Sequence, residues 1–264
     1  MADSYFDGPG LSYSHLKAFR GSRRRYQAQY ITGELPFARS AKMDFGTLVH
    51  LMVLEPQHLE GRVAVPPSTV LAKDGSRRGN LWYAWAEAHQ DKLIVTKSEY
   101  DRALLASAAV IQRLDGVVDL KEADLEVPLF WAEDHEFGTV DCRCKPDIVD
   151  RSAGLVVDIK VTGDSMAQEF SRIAKRLCYG LQGAHYLEGA RQGDDLSMER
   201  DSLTWAWVVV DEALPFTARL YTLAPRSMAY WEAERVWLMK EWTRAMEAND
   251  WSELHEREIE ELEI

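Results

Sequence analysis

Two short stretches decide the fold of this chain: CKPD at residues 144–147 and LVVDIK at residues 155–160. The second stretch is apolar enough for a buried strand, and alternate residues of a strand share a face, so Asp158 and Lys160 point the same way. A turn at residues 151–154 would pair this strand with the preceding one and bring Asp147 close to Asp158. Converging carboxylates repel each other unless a cation lies between them. The pattern therefore predicts a site for a hard divalent cation such as Mg²⁺.

Lys160 adds a positive charge beside this predicted cation site. Such a lysine can orient an attacking water or stabilise the charge that grows on a phosphate during hydrolysis. The plainer interpretation is an Asp–Lys ion pair on a half-exposed strand. The apolar neighbours of Asp158 disfavour that interpretation, because they predict a mostly buried strand.

The rest of the chain alternates between helical and strand patterns. We expect helices at about 12–30 (capped by Ser12 or Ser14), 45–54, 81–90, 98–114 (capped by Ser98), 166–190 and 224–248. We expect strands at 125–131, 139–149, 155–159, 203–210 and 216–221. The first three strands would form a meander, and the apolar run at 203–210 belongs in the centre of a sheet.

These elements predict one α/β domain over residues 1–264, with a central mixed β-sheet flanked by helices. We divide it into a mainly helical N-terminal part with DNA-contacting elements (1–120), a catalytic core (121–250) and an acidic tail (251–264), which we interpret as a solvated helix end. A docking segment for a partner is the alternative for the tail.

Composition narrows the class of protein. With 264 residues, 46% hydrophobic and 28% charged, the chain has ordinary globular composition, which excludes disorder, collagen and coiled coil. It has no apolar run of the roughly 20 residues that a membrane span needs, and residues 1–5 do not resemble a secretory signal, so we expect a cytoplasmic protein. Three cysteines form no disulfide framework, and we expect reduced thiols at Cys142, Cys144 and Cys178. A net charge of −12 argues against a protein that simply coats nucleic acid.

Two helical patterns accompany the strands. The sequence GTLVH at residues 46–50 places His50 in an apolar helix, where a lone histidine is usually a buried structural residue. Gln182 and Tyr186 are four residues apart and share one helix face, as in many ordinary polar–aromatic pairs. His185 lies off that face, so we expect a structural or exposed role for it.

The spacing Pro-Asp, then Asp-x-Lys, resembles the PD-(D/E)xK nuclease superfamily, and the Gly-x-x-x-His and Gln-x-x-x-Tyr patterns resemble motifs of its RecB-like branch. Together with DCRCKPD at 141–147, they follow the order and spacing of the exonuclease VIII (RecE) family, which is related to phage lambda exonuclease. LSYSHL at 11–16 and LEP at 54–56 are also similar to that family. The resemblance covers residues from about 10 to 250.

This resemblance implies a 5′→3′ exonuclease that acts on linear double-stranded DNA with one or two Mg²⁺ ions per active site, for which Mn²⁺ can substitute. It would release mononucleotides and leave 3′ single-stranded tails for a RecT-like single-strand annealing protein, in phage or prophage recombination inside a bacterial host cell. Such enzymes act on double-stranded DNA ends as homo-oligomeric rings, here a trimer or tetramer, with no membrane association.

The same resemblance assigns roles by position. His50, Asp147 and Asp158 would bind metal, Lys160 would activate the water, and Gln182 and Tyr186 would position the DNA backbone and the lysine. The predicted DNA contacts are Ser12, Ser14, Arg20, Arg23, Arg24, Arg25, Arg77, Arg78 and Lys145. A solvated face is the alternative for the arginine clusters. We interpret Glu126 as a solvated strand carboxylate.

Other interpretations remain open at this stage. A relative with an iron–sulfur cluster would need four cysteines, and the chain has three. A structure-specific endonuclease would carry the same motif. A non-catalytic acidic protein could instead mimic DNA or bind DNA ends, although mimicry does not require a lysine beside two carboxylates.

Overall fold

The computed structural model describes residue 8 and residues 10–37, 41–192 and 203–253. Strands in this part of the chain form three sheets. They are β1 (Val63–Ala64), β2 (Leu93–Ile94), β3 (Asp124–Leu125), β4 (Leu129–His135), β5 (Gly138–Cys144), β6 (Ile148–Asp150), β7 (Leu155–Thr162), β8 (Thr204–Asp211) and β9 (Ala218–Thr222). A five-stranded sheet has the order β3–β6–β7–β8–β9, and β1–β2 and β4–β5 form separate two-stranded sheets.

Helices cover both faces of the five-stranded sheet. They are α1 (Tyr13–Gly21), α2 (Arg23–Tyr26), α3 (Ala41–Leu54), α4 (Leu59–Arg62), α5 (Asn80–Glu87), α6 (Lys97–Leu114), α7 (Ala167–Arg176), α8 (Tyr179–Gln192) and α9 (Pro225–Ala248). A π-helical turn (Gln27–Ile31) extends α2, and 3₁₀ turns lie at Pro56–His58 and Ser68–Val70. The predicted mixed α/β fold is confirmed.

The middle of the sheet is mixed because β7 pairs parallel to β8 and antiparallel to β6. Helices α7 and α8 connect the two parallel strands, as a parallel pair requires a long crossover. Strand β8, which carries the apolar run predicted from the sequence, is buried from Trp205 to Val210. It lies inside the sheet between β7 and β9, where apolar residues can be covered on both faces.

The two faces of β7 have different partners. Val156 belongs to a core cluster shared with α1, α8 and α9, whereas Val157 and Ile159 belong to a second cluster shared with α3 and α6. Because alternate residues share a face, Asp158 and Lys160 lie on the side of α8. The sheet therefore separates the helix that carries Gln182 from α3, the helix that carries His50.

The predicted three-stranded meander is wrong. The segment expected as one strand at 139–149 is two strands, β5 and β6, interrupted at residues 145–147. Pro146 has no N–H to donate and disrupts strand pairing there. As a result β5 pairs with β4 in a separate hairpin and forms one isolated parallel bridge, from Cys142 to Leu11, while β6 joins the main sheet.

Three helices also differ from the sequence-based expectation. The helix expected at 12–30 is divided at Ser22, whose extended backbone separates α1 from α2. The helix expected at 166–190 breaks into α7 and α8 at Leu177 and Cys178, where Cys178 adopts a left-handed φ of 57°. The N-cap of α6 is Thr96, not Ser98, because Thr96 and Glu99 form a reciprocal capping box. Of the two caps expected for the N-terminal helix, Ser12 and Ser14, the structure has Ser12.

Buried ion pairs fasten the last helix to the rest of the molecule. Arg235 of α9 donates to both carboxylate oxygens of Glu133 on β4, at 2.8 and 3.0 Å. Arg23 of α2 donates to Glu241 at 2.6 Å and is 5% exposed. A buried, paired guanidinium has no access to DNA phosphates, so the structure corrects the expectation that Arg23 binds DNA.

The beginning of the acidic tail is docked, not solvated as expected. Trp251 is buried and stacks on Tyr26, with ring centroids 5.6 Å apart. Glu253 accepts hydrogen bonds from Ser22 Oγ at 2.5 Å and from the N–H groups of Arg23 and Arg24. These contacts join the end of the described chain to α2, and residues 254–264, with the other acidic residues of the tail, lie outside the described residues.

None of the described helices is long and apolar enough to span a bilayer.

The Glu133–Arg235 pair gives a pH-dependent contribution to stability. Burial would raise the pKa of Glu133, but the hydrogen bonds and charge of Arg235 outweigh it and hold the pKa below its usual 4.5. The pair therefore stabilises the fold above about pH 4.5, and this contribution is lost as the pH falls through the folded-state pKa. We expect Glu133→Gln to lower the free energy of unfolding by about 3 kcal/mol at pH 7, because it leaves a buried charge unpaired.

Urea unfolding at pH 7 and pH 4 measures this effect. The difference between variant and wild type should shrink at pH 4. Glu136→Gln is the matched control, since Glu136 forms an exposed pair with Lys240 on the same hairpin and should change stability by less than about 0.5 kcal/mol. Equal effects of the two substitutions would contradict the role of the buried pair.

Candidate active site

The site forms at the N-terminal end of β6, beyond which the edge of β7 has no strand partner. The last paired residues are Ile148 and Val157, so Ile159 lies beyond the ladder. Side chains form the hydrogen bonds of the Ile159 backbone in place of a neighbouring strand. The Ile159 N–H donates to Asp147 Oδ2 at 2.6 Å, and its carbonyl oxygen lies 2.9 Å from His50 Nε2. The structure thus brings Asp147 to the strand of Asp158, as the sequence predicted.

Glu126 is the residue whose position the sequence analysis missed. It follows β3 directly opposite Asp147, because the β3–β6 register continues with a hydrogen bond from the Glu126 N–H to the Asp147 carbonyl at 3.0 Å. A left-handed φ of 55° turns Glu126 out of the strand. The residue is half-buried and pairs with Lys145 at 2.8 Å. The expectation of a solvated carboxylate is therefore wrong.

His50, Glu126 and Asp147 form a cluster in which the potential ligand atoms all lie within 4.8 Å of one another. His50 comes from α3, on the opposite side of the sheet from α8, and its Nδ1 is 3.4 Å from Asp147 Oδ2. Two carboxylates and an imidazole are a donor set that suits Mg²⁺ or Mn²⁺. The cluster is the part of the described chain that best fits the predicted cation.

The pKa values of Glu126 and His50 reflect the concentration of negative charge in the cluster. Burial raises the pKa of Glu126, and the neighbouring Asp147 raises it further. Burial opposes protonation of His50, yet the charge of Asp147 outweighs this effect and raises the pKa of His50 to about 9. His50 is therefore protonated at neutral pH, and a divalent cation could supply this positive charge instead.

Asp158 and Lys160 form an ion pair beside this cluster, in which Asp158 is buried and Lys160 is half-buried. The Lys160 ammonium contacts Asp158 Oδ2, and Gln182 Nε2 donates to Asp158 Oδ1 at 2.6 Å. Burial raises the pKa of Asp158 to about 6 despite the opposing charge of Lys160. Burial likewise acts against the charge of Lys160, but Asp158 and Tyr179 outweigh it and the pKa of Lys160 stays above its usual value. Lys160 is therefore a cation at neutral pH.

A cavity of 470 Å³ opens onto these groups. Its lining includes His50, Glu126, Lys145 and Lys160. Gly46 also lines it, and no atom outside the helix backbone lies within 4 Å of where a Cβ would be, so the first turns of α3 leave the entrance open. The cavity gives a phosphate access to the acidic cluster and to two lysines at once.

Three further side chains near Lys160 were not predicted. The ring of Tyr179 lies under the Lys160 ammonium, 4.6 Å from its centroid, where it can stabilise the cation. Tyr13 of α1 donates to the carbonyl of Leu177 at 2.6 Å. The Lys17 ammonium lies over the ring of Tyr13, 5.9 Å from its centroid, and burial lowers the pKa of Lys17. Tyr13 belongs to the LSYSHL segment, whereas Lys17 and Tyr179 belong to none of the motifs. No local pattern indicates that the docking of α1 brings Tyr13 and Lys17 to this side of the molecule.

The other predicted residues lie in several places. Tyr186 packs edge-on against Trp205, at 5.7 Å between centroids, and Trp205 pairs with Val156 on β7. Ser12 caps α1 through the ring of His15, and Ser14 is exposed. Of the predicted phosphate contacts, Lys145 is the one that lines the cavity.

The predicted arginines have different surroundings. Arg20 pairs with Glu234 at 2.8 Å, Arg77 lies over the ring of Trp82, and Arg78 pairs with Asp74 at 2.7 Å within its own loop. Arg24 and Arg25 are exposed. Contact of these arginines with DNA remains a prediction.

His185 and the cysteines are structural, as expected. His185 is fully buried and bonds the carbonyl of Arg143 at 3.1 Å, and burial lowers its pKa to about 3, so it stays neutral. Cys142, Cys144 and Cys178 are free and buried.

The sheet, the flanking helices and the clustered Asp147, Asp158 and Lys160 define the class of this protein as the PD-(D/E)xK nuclease superfamily. Residues 12–254 match the family described as "PDDEXK-like domain of unknown function (DUF3799)", and the chain belongs to this family. No protein with a curated description matches the sequence significantly.

Solved structures resemble this chain at low sequence identity. One is described as a "Putative exonuclease" from Eubacterium rectale, with a TM-score of 0.58, 15% identity, and alignment over 100% of this chain and 93% of that one. A second, a phage related exonuclease from Haemophilus somnus 129PT, is more distant, with a TM-score of 0.35, 12% identity, and alignment over 93% of this chain and 98% of that one. At 15% identity, the likeness to the first structure concerns the fold alone.

We expect Glu126→Gln to weaken Mn²⁺ binding at least about tenfold, because it removes one of two carboxylates that face the same point. Isothermal titration calorimetry of the full chain measures the dissociation constant. Glu122→Gln, which removes an exposed carboxylate from the turn before β3, is the control and should leave the constant unchanged. Unaltered Mn²⁺ affinity in Glu126→Gln would exclude this residue as a ligand.

Proposed function

We propose that this protein is a metal-dependent 5′→3′ exonuclease that degrades one strand of linear double-stranded DNA to mononucleotides and leaves 3′ single-stranded tails. One observation carries the nuclease proposal: His50 and Glu126 of the metal-ligand cluster line the same cavity as Lys160. Their partners Asp147 and Asp158 are buried next to them. Polarity and end dependence rest on the resemblance to the exonuclease VIII family.

A divalent cation bound at the cluster would polarise the phosphoryl group and lower the pKa of a coordinated water. His50, Glu126 and Asp147 are the residues that would hold it, and Asp158 is the predicted further ligand. We propose Mg²⁺ as the ion, with Mn²⁺ as a substitute, because carboxylate oxygens dominate the donor set.

Lys160 acts in this proposal as a positive charge and not as a base. Its raised pKa keeps the ammonium protonated, so it can donate a hydrogen bond to the water or to a phosphate oxygen. Asp158 and the ring of Tyr179 hold the ammonium in place. Gln182 in turn fixes Asp158, which makes it a positioning residue.

The direct test uses a linear duplex labelled at the 5′ or the 3′ end, and a closed circle, each incubated with the protein and Mg²⁺. We expect early release of the 5′ label as mononucleotide and no cutting of the circle. Asp147→Asn and Lys160→Gln should each lower the rate at least about 100-fold, because both remove charges that act on the reacting phosphate.

Asp101→Asn and Lys97→Gln are matched controls, since these residues form an exposed ion pair on α6, and both should cleave at the wild-type rate. Cutting of the circle would replace the exonuclease proposal by an endonuclease. If no DNA substrate is cleaved in Mg²⁺ or Mn²⁺, the enzymatic proposal fails and DNA-end binding or DNA mimicry becomes the better explanation.

The setting of this activity is also a proposal. By the same resemblance, we infer a homo-oligomeric ring that encloses DNA, and a role beside a RecT-like annealing protein in phage or prophage recombination in the bacterial cytoplasm. Native mass spectrometry tests the ring: we expect three or four times the chain mass of 30.1 kDa, and a monomer at micromolar concentration would contradict it.

A further inference from the structure

A second cavity, of 560 Å³, lies on the same face of the sheet as Asp158. Asp158 pairs in register with Trp207 on β8, and Trp207 pairs with Tyr221 on β9. Because register partners share a face and neighbouring strands are about 4.8 Å apart, Tyr221 lies about 10 Å from Asp158 across the sheet. That distance is about three stacked nucleotides of one DNA strand.

The walls of this second cavity are aromatic. They are built by Phe170, Trp207, Tyr221, Tyr230 and Trp231. Phe170 and Tyr221 are stacked at 5.5 Å, and Tyr230 meets Trp231 edge-on at 5.2 Å. Tyr230 is 54% exposed, so its ring is available to a ligand. A cavity of this volume accommodates a molecule the size of a nucleotide.

Two cations line this cavity as well. Lys175 at the end of α7 and Arg226 at the start of α9 are exposed, and neither forms an ion pair with any residue in the described part of the chain. Unpaired cations beside aromatic rings are notable in a chain of net charge −12. They complement an anionic ligand that also has flat apolar rings.

We propose that this aromatic cavity binds unpaired nucleotides of single-stranded DNA next to the cleavage site. The exposed ring of Tyr230 and the half-buried rings of Tyr221 and Trp231 stack on the bases. Lys175 and Arg226 neutralise the phosphates, and this arrangement works for any base sequence. The inference rests on the proposed function, which supplies DNA as the substrate and single strands as the product. It adds a binding site outside the metal cluster and its cavity.

Binding can be measured without cleavage. The full chain is titrated, in EDTA, into a fluorescein-labelled thymidine oligonucleotide of about twelve nucleotides, and fluorescence anisotropy reports the affinity. We expect saturable binding that Tyr230→Ala weakens about tenfold and Tyr230→Phe leaves unchanged, because stacking needs the ring and not the hydroxyl. An oligonucleotide of equal length with abasic sites should bind correspondingly more weakly.

The cations are tested by the double variant Lys175→Gln/Arg226→Gln, which should also bind about tenfold more weakly and show a smaller salt dependence. Arg113→Gln/Lys121→Gln is its control. It removes the same charge from α6 and the loop that follows, and α6 packs on the opposite face of the sheet. This control should bind like the wild type.

Three outcomes overturn the proposal: no binding of the oligonucleotide by the wild type, equal binding of the abasic oligonucleotide, or equal binding by Tyr230→Ala. The duplex cleavage assay on the same preparations separates this proposal from the proposed function. Cleavage of the duplex without oligonucleotide binding refutes the cavity site and leaves the proposed nuclease activity standing. Base-dependent binding without cleavage supports the cavity site and refutes the nuclease activity.

Discussion

The hydrogen bond from the Ile159 N–H to the Asp147 carboxylate is the interaction on which the site depends. It replaces a strand partner just before β6 begins. His50 Nε2 likewise bonds the Ile159 carbonyl oxygen. Two side chains that could bind a cation are therefore also part of the backbone bonding of the sheet. Their positions are as rigid as the strand itself, and His50, from the other layer of helices, ties α3 to the same point.

Much of the fold could be predicted because hydrophobic patterning acts locally. The apolar run of β8 and the strand that carries Asp158 are continuous in sequence, and both are strands in the structure. The break between β5 and β6 was missed although Pro146 signals it, because alternation on both sides looked like one strand. The break at Cys178 has no such signal, since neither glycine nor proline marks its left-handed backbone.

The acidic pair Asp147 and Asp158 was predictable because both residues belong to one hairpin whose register the short turn dictates. Glu126 was not, since it reaches the cluster through a strand of two residues followed by a left-handed turn, and neither is visible in an alternating pattern. Lys17 and Tyr13 depend on how a distant helix docks. The residues that local strand pairing brings together are therefore predictable from the sequence, whereas those that tertiary packing brings to the site are not.

Helix α8 holds Gln182 against Asp158 only because it packs unusually close to its neighbours. A Cβ at Gly180 would lie 2.1 Å from the Trp231 ring, one at Gly183 2.9 Å from Trp205, and one at Gly189 2.6 Å from Cys144 Sγ. Three positions without side chains thus limit which mutations the active site tolerates. Side chains that face the cavity can be exchanged without disturbing this packing, whereas a side chain at any of these three glycines requires a rearrangement of the core beneath the helix.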